Sequence, residues 1–143
     1  MVNQMTKYEI KELHADGYER FAFVREMGKD IQMCVHFIEY DEYIENGEAS
    51  RKRKKGDLLE GNISIELVTH SRKVDAELSY HQNIQGSSHI EAIVEVTQVK
   101  DSDSFYARSS LSEDDILIEF ENAVNYRAGE KVFVIGSLEF ILE

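Results

Sequence analysis

Five adjacent cations, Arg51-Lys52-Arg53-Lys54-Lys55, form the strongest chemical signal in this sequence. A row of that kind can meet successive phosphates and give binding that weakens with salt. In a chain of net charge −12 the run also has a plainer reading. Clustered lysines keep a loop solvated, and an acidic remainder repels polyanions. A nucleic-acid face would further need aromatic platforms on which bases stack. The candidates are Tyr80, Phe105, Tyr106 and Tyr126. Phe105 and Tyr106 are neighbours on one expected strand and point to opposite sides, so at most one belongs to a binding side and the other to the core.

Other chemistries find less support. Asp101-Ser102-Asp103 opens like a calcium loop, but the sixth position is Tyr106 where the sharp turn needs glycine, and the twelfth is Ser112 where a bidentate glutamate belongs. Glu113-Asp114-Asp115 after Ser112 reads as a polar loop or a helix start. Cys34 and His36 stand two apart on an expected strand and project to one side, as a thiol and its base or two metal ligands would. Zinc needs three or four protein ligands, and His14, His70, His81 and His89 show no pairing at ligand spacing. Ser87-Ser88-His89 lies in no nucleophile elbow, and no glycine loop for phosphate or dinucleotide occurs. The reading is therefore no catalytic residue, no metal, no cofactor and no enzyme.

Composition sets the frame for these residues. With 143 residues, 42% hydrophobic and 31% charged, the chain has enough apolar side chains for one core, and one domain over residues 1–143 is expected. A subdivision into residues 1–55 and 56–143 is the alternative. No stretch approaches the roughly 18 apolar residues of a membrane span. Met1 to Leu13 carries Lys7, Glu9, Lys11 and Glu12 where a secretory leader needs an apolar run. A cytoplasmic protein without membrane contact is expected. The single cysteine, Cys34, fits a reducing compartment and reads as a core thiol. Charge is uneven: residues 1–50 carry five basic against eleven acidic side chains, residues 51–100 eight against seven, and residues 101–143 three against ten. The net charge of −12 favours solubility or a basic partner.

The elements that must hold these residues are strands, because the dominant hydrophobic period is two. Ile90, Ala92, Val94 and Val96 alternate with Glu91, Ile93, Glu95 and Thr97. Val132, Val134, Leu138, Phe140 and Leu142 share one parity, with Gly136 placed for a bulge or bend. Ile116, Ile118 and Phe120 predict a short strand, and so do Ile63, Ile65 and Leu67. Lys7 to Leu13 and Glu19 to Arg25 flank Ala15-Asp16-Gly17 as a first hairpin. Ile31 to Tyr40 is apolar on both parities, as for a strand buried on both faces. Lys100 to Ser104 is turn chemistry inside a hairpin over residues 90–109. Asn122 to Ala128, followed by Gly129, is the one short helical candidate. Glu45 to Asp57 reads as a long exposed loop.

About eight or nine short strands predict an all-β fold, a small antiparallel barrel in preference to a sandwich, with little helix. Gly129-Glu130-Lys131-Val132-Phe133-Val134-Ile135-Gly136-Ser137-Leu138-Glu139-Phe140 resembles the fourth and fifth strand region of OB-fold proteins, single-stranded-DNA-binding proteins among them. Gly56-Asp57-Leu58-Leu59-Glu60-Gly61 is similar to a second common OB opening. The resemblance implies an OB-like barrel over residues 56–143, with extra N-terminal strands before it, and a binding face whose ligand it does not name. Three functions follow as expectations. The first is a non-enzymatic binding or assembly module that docks a protein, basic in charge, or another copy of itself. The second is a single-stranded nucleic-acid binder using Arg51 to Lys55. The third is an acidic inhibitor or immunity protein of a basic enzyme.

Overall fold

A computed structural model describes residues 6–45 and 47–143 of the chain. Residues 1–5 of the opening stretch weighed as a leader, and Asn46 of the long loop, lie outside the described residues. The fold is all-β. Nine strands follow in order: β1 Thr6–Asp16, β2 Glu19–Glu26, β3 Gln32–Ile38, β4 Leu58–Lys73, β5 Ser79–His81, β6 His89–Asp101, β7 Ser104–Arg108, β8 Ile116–Phe120 and β9 Lys131–Leu142. Among the described residues no helix is long and apolar enough to cross a membrane. The chain divides into two compact units. One holds the described residues up to Asn62 with Ile84–Ser88 and Glu139–Glu143; the other holds Ile63–Asn83 and His89–Leu138. The long strands β4 and β9 each give one end to either unit.

In the first unit the ladders form a closed circuit. β1 pairs antiparallel with β2 from Tyr8↔Glu26 to Asp16↔Glu19, and β2 pairs antiparallel with β3 from Glu19↔Ile38 to Arg25↔Gln32. β3 lies parallel to β9 at His36↔Glu139. Glu143 N–H donates to Glu60 O at 3.0 Å, and β4 returns to β1 through Thr6↔Gly61 to Glu9↔Leu58. The first hairpin turns at Gly17-Tyr18, so Ala15 and Asp16, expected in the turn, are strand residues paired with Arg20 and Glu19. Alternation places Tyr8, Ile10, Ala22, Val24, Leu59 and Phe140 inside. Tyr8 and Phe140 meet edge to face at 5.4 Å. β3 buries Met33, Cys34, Val35 and Phe37 on both parities, as its composition predicts.

In the second unit β6 is the spine. Its inner residues Ile90, Ala92, Val94 and Val96 are buried, matching the alternation in the sequence. β6 pairs antiparallel with β9 from His89↔Ser137 to Glu95↔Lys131 and with β7 from Glu95↔Arg108 to Asp101↔Ser104. β7 pairs antiparallel with β8, and β8 runs parallel to β4. Gly136 is required where it stands, because a Cβ there would sit 2.7 Å from Glu66 O and 2.9 Å from Val68 Cγ2. Two expectations fail. Asn122 to Ala128 forms no helical turn, since Val124 N–H donates to Ser102 O at 2.8 Å instead of to its own segment. Leu67, expected inside with Ile63 and Ile65, is 61% exposed: a bulge between Ile65 and Val68 reverses the parity, and Leu67 takes a φ of 58°.

Candidate functional site

The chemistry of the first unit gathers on the segment joining β3 to β4, residues 39–57, whose course is set by buried polar groups. Arg20 comes from the inner face of β2 and is fully buried. Its Nη1 donates to Gly17 O and Glu19 O, both at 2.9 Å, and its Nη2 donates to Glu42 O at 2.5 Å and Glu42 Oε1 at 3.2 Å. Glu42 in turn accepts from Ser50 Oγ at 2.5 Å and from the N–H groups of Arg51 and Lys52 at 2.9 and 3.2 Å. The Ser50 hydroxyl first, and then the Arg51 amide, Arg20 and the Lys52 amide, hold the Glu42 carboxyl down to about 2, against an ordinary 4.5. Gly17 and Ile44 exchange backbone hydrogen bonds at 2.7 and 3.0 Å. The long loop is therefore exposed, as expected, but tied down at several points.

The basic run divides into cations with partners and cations without. Arg53 Nε donates to Glu39 Oε1, and its guanidinium lies 5.8 Å from the Phe37 ring centre. Lys52 Nζ donates to both Asp41 oxygens at 3.0 and 2.9 Å and stands 3.4 Å from Glu39. This contact lowers the Asp41 pKa and raises that of Lys52. Lys54 and Lys55 form no ion pair among the described residues. They occupy a tight turn: Asp57 N–H donates to Lys54 O at 3.0 Å, Gly56 takes a φ of 94°, and the Asp57 carboxylate accepts from Lys54 N–H at 3.0 Å. Gly56 N–H donates to Ile10 O at 2.8 Å, and Ile10 N–H donates to Asp57 O at 2.9 Å, fastening the turn to β1 where its register shifts between Ile10 and Glu12. Lys11 sits in that shift. Between it and the loop runs a groove of about 420 Å³ lined by Lys11, Arg53, Lys54 and Lys55, with Glu12 as the one carboxylate among its described lining residues.

A second surface lies on the outer face of β2, β3 and the end of β9. Cross-strand pairs Phe21↔His36 and Phe23↔Cys34 put their side chains on that face, and His36↔Glu139 extends it to β9. Phe23, Ile38 and Ile141 are 39%, 37% and 50% exposed. His36 Nδ1 is 2.6 Å from Glu139 Oε1 and its Nε2 is 3.2 Å from Glu19 Oε1. The Glu139 hydrogen bond, against some loss of hydration, raises the His36 pKa above 6.5. Cys34 shares the face, and burial pushes its thiol up to about 11. The two carboxylates thus meet both ring nitrogens of His36. Tyr18 and Tyr43, 5.2 Å apart edge to face, and the 82% exposed Tyr40 stand at the turn and loop beyond these strands.

Of the sequence-predicted residues, Arg53, Lys54 and Lys55 line one groove, while Arg51 and Lys52 lie outside its lining. Tyr80, Phe105, Tyr106 and Tyr126 all belong to the second unit. Phe105 is the core member of its pair, buried with its ring 5.3 Å from Phe120, and offers no face to a base. Tyr106 is half-buried. Tyr126 stands 6.1 Å from Phe105 and shares a hydrogen bond with Ser71 Oγ at 2.9 Å. Tyr80 sits on the short edge strand β5, opposite Ala92. Sequence reasoning passed over Lys11, the tyrosines 18, 40 and 43, and the phenylalanines of β2. Phe21 and Phe23 carried a usable signal, since they occupy the opposite parity to Ala22 and Val24. Comparison with protein-family models, curated proteins and solved structures finds no match for this chain.

Proposed function

We propose that the chain is a non-enzymatic docking module that takes a basic protein segment on the outer face of β2, β3 and β9. The observation that carries this reading is the contiguity of Phe23, Ile38 and Ile141 on one sheet face, with Phe21 and Cys34 between them. Scattered exposed apolar residues are ordinary; a shared face is not. Glu19 and Glu139 stand on that face, and a net charge of −12 attracts cationic partners. The circuit β1-β2-β3-β9-β4, with its single parallel step, is read here as an OB-like five-stranded barrel, in which the face of the second and third strands is a binding surface. The two segments that resemble OB-fold proteins lead into β4 and β9 of this circuit. Residues before 56 then supply three of its strands.

The test is affinity capture from native cells with wild type and with the double variant Phe23→Glu, Ile38→Glu, read by quantitative mass spectrometry and paired with thermal melts. A basic protein retained by wild type and lost from an equally stable double variant supports the reading. A basic enzyme among those captured would select the inhibitor function within it. Equal retention by both proteins, or a homodimer that the double variant dissolves, overturns it.

A further inference from the structure

We infer that the groove between β1 and the segment 49–55 binds an oligophosphate, a ligand with several phosphoryl groups joined in a short chain, through Lys54, Lys55 and Lys11, with Arg53 at its margin. The inference concerns other residues than the β2 and β3 face and holds whether or not that face docks a protein. Three observations carry it. Lys54 and Lys55 form no ion pair among the described residues, although the chain is strongly acidic and gives Lys11, Lys52, Arg53, Lys73 and Arg108 carboxylate partners. They are held in a fixed turn fastened by two backbone hydrogen bonds to Ile10, so ordering costs the ligand little on the protein side. The register shift in β1 then brings Lys11 to the same groove from a distant part of the sequence.

Ligand class follows from charge and lining. A chain of net charge −12 repels anions at long range, so an anion with one charge gains too little from a solvated lysine cluster to bind well. Several closely spaced charges multiply the local attraction. Among its described lining residues the groove holds Leu13 and Ala49 as apolar lining and no aromatic ring, so a nucleobase finds no stacking platform there. The phosphoryl chain itself is what the groove recognises, whether free or borne on a nucleotide.

The experiment is isothermal titration of wild type, Lys54→Gln/Lys55→Gln, Lys52→Gln and Glu12→Gln with orthophosphate, pyrophosphate, tripolyphosphate, ATP and a ten-residue oligothymidylate, at low and physiological salt. Expected is saturable binding that tightens from orthophosphate to tripolyphosphate, weakens by about tenfold or more in the Lys54/Lys55 variant, is unchanged in Lys52→Gln and improves several-fold in Glu12→Gln. ATP matching tripolyphosphate identifies a nucleotide as an acceptable source; ATP binding more weakly identifies the free chain. No saturable binding of any phosphate at low salt overturns the inference. So does binding indifferent to Lys54 and Lys55, or oligothymidylate binding more tightly than tripolyphosphate. The altered side chains are exposed, and unchanged melting temperatures separate lost binding from lost fold.

Discussion

His36 Nδ1 stands 2.6 Å from Glu139 Oε1 while Nε2 of the same ring stands 3.2 Å from Glu19 Oε1. Both ring nitrogens can donate only when the imidazole is doubly protonated. With its folded-state pKa raised above 6.5, chiefly by Glu139, His36 contributes stability that is fully present below 6.5 and is lost as pH rises through the folded-state value. An NMR titration of the His36 ring should therefore give a pKa above 6.5 in wild type. It should move downward in Glu139→Gln, with a shallower decline of stability on the alkaline side. An unchanged titration in that variant would remove Glu139 as the cause.

Glu42 carries the opposite sign. Its carboxyl is depressed to about 2 from 4.5, so its contribution is complete above 4.5 and lost as pH falls from there toward 2. Urea unfolding of wild type should show a loss of stability over that window that Glu42→Gln largely lacks. The variant should also be the less stable protein at neutral pH, because the Ser50 hydroxyl and two amides lose their charged acceptor.

Arg20 is the fully buried partner of the same pair. Arg20→Ala removes four hydrogen bonds made by a fully buried guanidinium, to the carbonyls of Gly17, Glu19 and Glu42 and to the Glu42 carboxylate, which keeps its Ser50 and amide donors, and should cost about 2–4 kcal/mol in denaturant unfolding. The loop it anchors should become the first site of limited proteolysis. Arg20→Met, which restores volume but no charge, should recover only part of the loss.

Gly136→Ala should be among the most damaging single-atom additions in the chain. The new Cβ meets the Glu66 carbonyl at 2.7 Å, and backbone cannot give way as a side-chain tip can. A destabilisation of about 3 kcal/mol or more is expected, measured against Gly28→Ala, where no atom lies within 4 Å and only the positive φ of 80° opposes the methyl group.

Cys34 should react slowly with iodoacetamide in the folded protein. With its thiol near 11, on the order of one molecule in a thousand is thiolate at pH 8. Reaction after addition of denaturant should be faster by orders of magnitude. Rapid alkylation under native conditions would show that the thiol is not held as described.

The strands most legible in the sequence were those with one buried face and regular alternation. Ile90 to Val96 and Val132 to Phe140 follow the period of two because each inner position meets core and each outer one meets solvent. The all-β class followed from such segments. Leu67 was misplaced because a bulge changes parity without any mark in composition, and here the residue with positive φ is a leucine and not a glycine. Asn122 to Ala128 misled because Gly129 suits a helix end and a strand entry equally well. The groove was half legible: the run at 51–55 is conspicuous, but its division into paired and unpaired cations depends on Glu39 and Asp41, and its union with Lys11 depends on a hydrogen-bonded contact between Ile10 and Gly56 that no local pattern records. The outer face was partly legible from Phe21 and Phe23. Its continuation to Ile141 rests on a pairing 103 residues apart.

That pairing bears on the order in which the molecule can be made. β3 leaves the ribosome about a hundred residues before the segment of β9 that lies beside it, an interval on the order of 5–20 s at ordinary elongation rates. During that time the outer strands of the first unit have no parallel neighbour, and the whole second unit emerges between them and their partner. Closing so long a loop delays the ladder further, which places this fold among slow, non-local folders. Nascent chains stalled before residue 139 should accordingly hold β3 as an open sheet edge, the state in which chaperone engagement or misassembly with another chain is most readily caught.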